Sequence, residues 1–311
     1  MTSTKQYNAF EAILLNNNHI RQVVIVGGTH GNERIGLYLV KKFNQDSSLL
    51  FRPNLTTTCL IGNPQACKEN RRYIDTDLNR CFIKADLDNQ LLGRHEERQA
   101  KVLHQQLGPK GNSDNFLLDL HSTTANMGLT LILVNDHPFN LHLAAYLTHH
   151  NPQVRVYRWT QGNQENAFVS SLCQLGFAIE VGPIPQGILL ASLFQETETL
   201  IHQTLDYLEQ INRDVSLPLP RTLPLFQHLD VVDFPKTSSG ELAGMVHPQL
   251  QGKDYQPLNP GDPIFLTFEG QTLFYEGCST VWPIFINEAA YYEKDIAMCL
   301  THKQDISLKW N

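Results

Sequence analysis

The chain has 311 residues, 41% of them hydrophobic and 18% charged, enough to bury a large core in one domain or two. A net charge of -7 without any basic run excludes a phosphate-backbone binder, so no nucleic-acid partner is expected. Six widely spaced cysteines without a Cys-x-x-Cys pair exclude a disulfide framework, and no stretch approaches the ~18 apolar residues of a membrane span, so a cytoplasmic protein with no membrane partner is expected.

Val23-Val24-Ile25-Val26 reads as a buried strand that breaks at Gly27-Gly28-Thr29-His30-Gly31-Asn32-Glu33 into a helix, where Ile35, Leu37, Leu39, Val40 and Phe43 mark the buried positions. Glycine tolerates the sharp turn between them. His30 and Glu33 offer an imidazole nitrogen and a carboxylate oxygen at a spacing that a turn brings to one metal ion, which makes the turn half of a zinc site. Leu55 to Ile61 is a second strand, stopped by Gly62-Asn63-Pro64. Asn70 to Phe82 is too charged for a core element and reads as a loop.

His95 to Leu107 has helical spacing at Ala100, Leu103 and Leu107, with His95 and His104 expected in solvent. Phe116 to His121 is a buried strand whose last residue is a candidate third ligand. Strands at Leu129 to Val134 and Val154 to Trp159 flank an apolar helix around Leu141 to Leu147, and His137, His142, His149 and His150 are expected at the surface. Phe177 to Pro183 carries Glu180 inside an apolar strand, and a glutamate there requires an explanation. A long helix spans Ala191 to Asn212. After it, Leu217-Pro218-Leu219-Pro220 marks a boundary between domains at 1-214 and 215-311. The apolar runs Leu229 to Phe234, Leu242 to Val246, Ile264 to Phe268, Leu273 to Tyr275 and Val281 to Ile286 suggest a small antiparallel β domain.

The Gly27 to Glu33 motif, Asp77-Leu78-Asn79-Arg80, Asp119-Leu120-His121 and Ile179-Glu180-Val181-Gly182-Pro183, in that order, resemble the aspartoacylase and succinylglutamate desuccinylase family, which is related to the zinc carboxypeptidases. The resemblance continues through Asn287 to Lys294. It implies an α/β fold: a three-layer α/β/α domain with a central mixed sheet, plus a smaller C-terminal β domain that narrows the active-site entrance. It further implies one zinc ion per chain on His30, Glu33 and His121, hydrolysis of a small-molecule N-acyl-L-amino acid such as N-acyl-L-aspartate, and assembly as a homo-oligomer. Glu180 is the candidate for the proton-transferring base, a role that burial would favour by raising its pKa. Asp119 suits a hydrogen bond to a ligand histidine. By resemblance, Arg72 faces the oxyanion, Asn79 and Arg80 bind a substrate carboxylate, Asp75 and Asp77 orient the arginines, Tyr291 contacts substrate, and Glu288 anchors the lid.

The pattern departs from aspartoacylases at Asn166 and Ser170, where that group has a tyrosine and an arginine, with Arg155 and Arg158 as nearby substitutes. Ser122 also replaces a common asparagine. The run Val231 to Pro235, with Leu242-Ala243-Gly244 and Val246 to Gln251, resembles the third aminoacylase type, which implies N-acyl aromatic amino acids or mercapturates as the alternative substrates. The alternative from another class is a non-catalytic zinc-binding relative. No Gly-x-Ser-x-Gly elbow and no phosphate-loop lysine support a different enzyme class.

Overall fold

A computed structural model describes residues 20–91, 93–160, 165–215, 217 and 220–308. In chain order the elements are β1 (Gln22–Gly27), α1 (Arg34–Gln45), β2 (Thr56–Ile61), α2 (Pro64–Glu69), α3 (Lys84–Asp88), α4 (His95–Leu107), β3 (Asn112–Ser122), β4 (Gly128–Leu133), α5 (Pro138–His150), β5 (Val154–Arg158), β6 (Cys173–Gly182), α6 (Ala191–Asn212), β7 (Thr222–Asp233), β8 (Gly244–Val246), β9 (Pro263–Thr267), β10 (Thr272–Phe274) and β11 (Ile296–Ser307). Eight strands form one sheet in the order β11-β7-β5-β4-β6-β3-β1-β2, and β10-β9-β8 form a second. Within the large sheet β4 runs antiparallel to β6 and β11 antiparallel to β7, while the other neighbours are parallel, so it is a mixed sheet.

Side chains alternate across a strand, and this alternation builds the layers. Val23 and Ile25 of β1 join Phe116, Leu118 and Leu120 of β3 in a core shared with α1, α5 and α6. Val24 and Val26 with Leu117 face the other way, toward Leu87 of α3 and Ala100, Leu103 and Leu107 of α4. Strands apolar on both faces are what a sheet between two helical layers demands. The close fit of α1 to the sheet depends on small residues: a Cβ on Gly36 would stand 2.7 Å from the Leu120 carbonyl oxygen, and one on Gly27 2.3 Å from that of Gly36.

The same alternation selects the functional face. Asp119 and His121 follow Leu117 onto the face opposite Leu118 and Leu120, and Glu180 shares its face of β6 with Ala178. His121 and Glu180 are register partners across the parallel β3 and β6 pair, so the histidine and the carboxylate stand side by side near the C-terminal ends of their strands.

Three expectations need correction. His142 is buried at 5% exposure rather than on the surface, because α5 is apolar around most of its circumference and packs against the sheet, whereas His149 and His150 at its end are exposed. Val281 to Ile286 forms no strand. It makes isolated bridges from Val281 to Leu258 and from Ile284 to Cys299, with Pro283, which has no N–H, between them. The final strand β11 was not foreseen, since its second half, with Lys303, Gln304 and Asp305, is too polar to read as a core strand. The chain beyond 215 divides between the two sheets, with β7 and β11 extending the large one. Pro218 and Leu219 of the expected break, and the residues before 20, lie outside the described residues.

Candidate active site

His30 and Glu33 sit in the turn between β1 and α1, and β3 delivers His121 opposite them. His30 Nδ1 lies 2.6 Å from Glu33 Oε1 and His121 Nδ1 lies 2.8 Å from Glu33 Oε2. All three side chains are buried, and one ligand atom from each lies within 4.8 Å of the others. The remote nitrogens are also held by carboxylates, His30 Nε2 by Asp77 Oδ1 at 2.9 Å and His121 Nε2 by Asp119 Oδ2 at 2.7 Å. Thr29 Oγ1 donates to the other Asp119 oxygen at 2.7 Å.

Two imidazoles and a carboxylate with their inner atoms converging and both outer nitrogens on carboxylates fit a divalent cation, in the arrangement that orients histidine ligands. Burial opposes the charge of Glu33, but His30 and His121 hold its carboxyl well below the usual carboxylate range.

Arg72 spans this cluster, with one terminal nitrogen 3.2 Å from Glu33 Oε1 and the other 3.1 Å from Asp77 Oδ2, while its buried Nε has no hydrogen-bond partner among the described residues. Asp77 therefore orients the arginine as expected. Asp75 does not: its carboxylate instead accepts the His95 N–H at the start of α4 at 2.7 Å. Asn79 Nδ2 stands 3.2 Å from His121 Nε2 and its Oδ1 accepts the Val169 N–H at 2.9 Å. Arg80 donates to the Asn79 carbonyl at 2.7 Å and lies 5.4 Å from the centroid of the Phe168 ring. Burial drives the Glu180 carboxyl well above its ordinary pKa. The positive charge of His121 opposes that rise, and the negative charges of Glu33 and Glu288 add to it.

These groups open into one cavity of about 300 Å³, lined by His30, Glu33, Arg72, Asn79, Arg80, His121, Glu180 and Tyr291 together. The residues expected as metal ligands, catalytic groups or substrate contacts thus line the same space, whereas Asp75 and Asp77 do not. Its other wall is apolar, with Ile132, Tyr157, Trp159, Phe168 and Phe285, and includes Ser170, a buried hydroxyl without a hydrogen-bond partner among the described residues. The proposed substitutes lie elsewhere: the Arg155 guanidinium rests 4.9 Å over the Tyr255 ring, and Arg158 bonds Gln227 and, at 3.3 Å, Asp136. Asn166 is also outside the lining, its Oδ1 accepting the Phe168 N–H at 2.8 Å. Glu288 accepts from Thr123 Oγ1 and, at 2.8 Å, from the Thr124 N–H, which ties the C-terminal segment to the loop after β3.

Family models match twice, the succinylglutamate desuccinylase/aspartoacylase catalytic domain over residues 19–208 and the barrel-sandwich hybrid domain of the same family over 221–303. The chain belongs to the succinylglutamate desuccinylase/aspartoacylase family. Within that family it is 92% identical over 295 residues to a probable aspartoacylase of Acaryochloris marina, covering 95% of this chain and all of that one. It is 42% identical to a human N-acyl-aromatic-L-amino acid amidohydrolase, over 91% of each chain. The crystal structure of murine aminoacylase 3 superposes with a TM-score of 0.90 at 41% identity, covering 94% of this chain and 98% of that one. A succinylglutamate desuccinylase from Vibrio cholerae, at 15% identity and a TM-score of 0.61, shares the fold.

Sequence reasoning gave no role to several lining residues of this family member. Lys294, one helical turn beyond Tyr291, reaches the cavity, and burial followed by the charge of Arg80 lowers its ammonium pKa. His228 of β7 lines the cavity too, its Nδ1 paired with the Tyr157 hydroxyl at 2.9 Å. The i, i+3 spacing from Tyr291 could have flagged Lys294. No local signal marks His228, since only the pairing of β7 with β5 brings it there.

Proposed function

We propose that this chain is a metal-dependent amidohydrolase that converts an N-acyl-L-amino acid and water into a carboxylate and the free amino acid, with N-acyl-L-aspartate as its first substrate. The observation that carries this reading is the register of β3 and β6, which sets Glu180 beside His121 in the cavity that also holds His30, Glu33 and Arg72. A divalent cation such as zinc, held by His30, Glu33 and His121, supplies Lewis acidity that lowers the pKa of water and polarises an amide carbonyl. Glu180 takes a proton from the attacking water and returns it to the nitrogen as the carbon–nitrogen bond breaks, and its raised pKa suits that exchange. Arg72, fixed by Glu33 and Asp77, directs N–H donors toward the oxygen that gathers charge. Tyr291, Asn79 and Arg80 border the substrate space.

The aspartate assignment is supported by two cations that line the cavity in addition to Arg72, namely Arg80 and Lys294, which match a dianion's two carboxylates, and by the name of the 92% identical relative. A second reading, an aromatic N-acyl amino acid, is favoured by the wall of Tyr157, Trp159, Phe168 and Phe285 around Ser170 and by the name of the human relative. Side-by-side kinetics of zinc-loaded protein with N-acetyl-aspartate and N-acetyl-tyrosine decide between them. A higher kcat/KM for the tyrosine derivative moves the assignment to the second reading, and turnover of neither leaves a non-catalytic zinc-binding relative.

The catalytic domain is taken as 1–214 and the C-terminal domain as 215–311, which lends β7 and β11 to the large sheet and brings Tyr291 and Lys294 to the cavity. Six free cysteines, and no described helix long and apolar enough to cross a membrane, support a cytoplasmic location. The exposed run Ile188, Leu189 and Leu190 supports a homo-oligomer, which light scattering would test.

A further inference from the structure

We infer that Glu96 is a positioning residue that holds the arginine-bearing loop of the cavity in its working place. It stands on α4, outside the cavity lining, and is fully buried at 0% exposure. Its carboxylate accepts three successive backbone N–H groups, from Ile74 at 2.7 Å, Asp75 at 2.9 Å and Thr76 at 3.1 Å, and the Asn63 side-chain amide at 2.9 Å. The first of these amides comes two residues after Arg72 and the last directly precedes Asp77, the carboxylate shared by Arg72 and His30. Asn63 connects the assembly to the metal turn, because its backbone N–H donates to the Gly28 carbonyl at 2.9 Å.

A buried carboxylate is costly unless its lone pairs are filled, and here four donors fill them. Burial opposes the charge, and the N–H groups of Ile74 and Asp75, with the Asn63 amide, hold the carboxyl below its ordinary pKa. The start of α4 does not need Glu96: the Asp75 side chain takes the His95 N–H and Glu97 takes the Arg94 N–H at 2.8 Å. All four contacts of Glu96 therefore serve the loop and its junction with the metal turn.

The inference rests on the amidohydrolase reading only for its effect on rate, so the test carries a readout that needs no substrate. Glu96→Gln keeps the shape of the side chain but turns an N–H2 group against backbone donors, while Glu97→Gln is the neighbouring control. By hydrogen exchange, the amides of Ile74, Asp75 and Thr76 in Glu96→Gln should lose protection by about tenfold or more, with Tm within a few degrees of the parent. With either N-acyl substrate, kcat/KM should fall about ten- to a hundredfold, mainly in kcat, because a guanidinium misplaced by about 1 Å loses that much. On an Arg72→Ala background the same substitution should cost less than about threefold, since the two act through one group. Glu97→Gln should change none of these. Unchanged protection at 74–76, an equal rate loss on both backgrounds, or a Glu96→Gln chain that does not fold would each overturn the positioning role. If the parent hydrolyses no amide, the exchange result still decides Glu96 and the proposed function fails separately.

Discussion

Glu180 and Arg72 share a cavity, and the proposed function assigns them different work that substitution separates. Glu180→Gln keeps the shape and removes the proton shuttle, so kcat should fall about 10²–10⁴-fold with metal content unchanged, measured by steady-state kinetics beside metal analysis. Retained turnover would sink the assignment of Glu180. Asp77→Asn acts one step further out: the carboxylate behind His30 Nε2 becomes an amide, and metal affinity should weaken about 10–100-fold in chelator competition. An unchanged affinity would mean that the ring is held without it. His30 with Glu33, Asp119 with His121, and Glu180 as a lone acid in an apolar strand were legible in residue types, whereas Arg72 and Asp77 took their roles from the family resemblance. Glu96 and Lys294 were not legible. Glu96 sits on a helix whose other polar residues are all at least partly exposed, and three of its four partners are backbone amides twenty or so residues away, which carry no side-chain signature.

At the scale of elements, most strands and helices followed from apolar periodicity, and α4 and α6 appear with the expected ends. The error at α5 is informative. Four histidines near one another suggested solvent, yet in a helix packed on a sheet the position on the wheel decides, and His142 falls on the inner side. That burial predicts a pH effect. Burial pushes the His142 imidazole down to about 4 from its ordinary 6.5. Above pH 6.5 both folded and unfolded chains carry it neutral. Between 6.5 and 4 only the unfolded chain takes the proton, so stability is lost as pH falls through that window and the loss levels off below it. Urea midpoints at pH 7.5 and 5 should therefore differ more for the parent than for His142→Leu. Equal differences would show that another group controls acid sensitivity. β11 makes the complementary point: its polar outer half hid it, because a strand exposed on one side is recognised by its partner rather than by composition.

For the whole molecule, the question is how a segment that begins after α6 returns to complete a site built at the other end of the chain. The answer lies in two buried carboxylates of the C-terminal segment. Glu288 grips the Thr123 to Ala125 turn that follows β3, the strand of His121. Asp254 accepts the N–H of Asn126 at 3.2 Å and that of Ile286 at 3.0 Å, and so ties the same turn to the run that leads into Tyr291 and Lys294. Ile286 is itself fully buried, so its N–H has no access to water if Asp254 is removed. Asp254→Ala should then cost about 1–3 kcal/mol of unfolding free energy in urea, the penalty for an orphaned buried donor. Because that donor leads directly into the cavity wall, KM should rise in the same variant while metal affinity, set on the far side by His30, Glu33 and His121, stays as in the parent. A stability loss without any change in KM would mean that the C-terminal segment covers the site without shaping it.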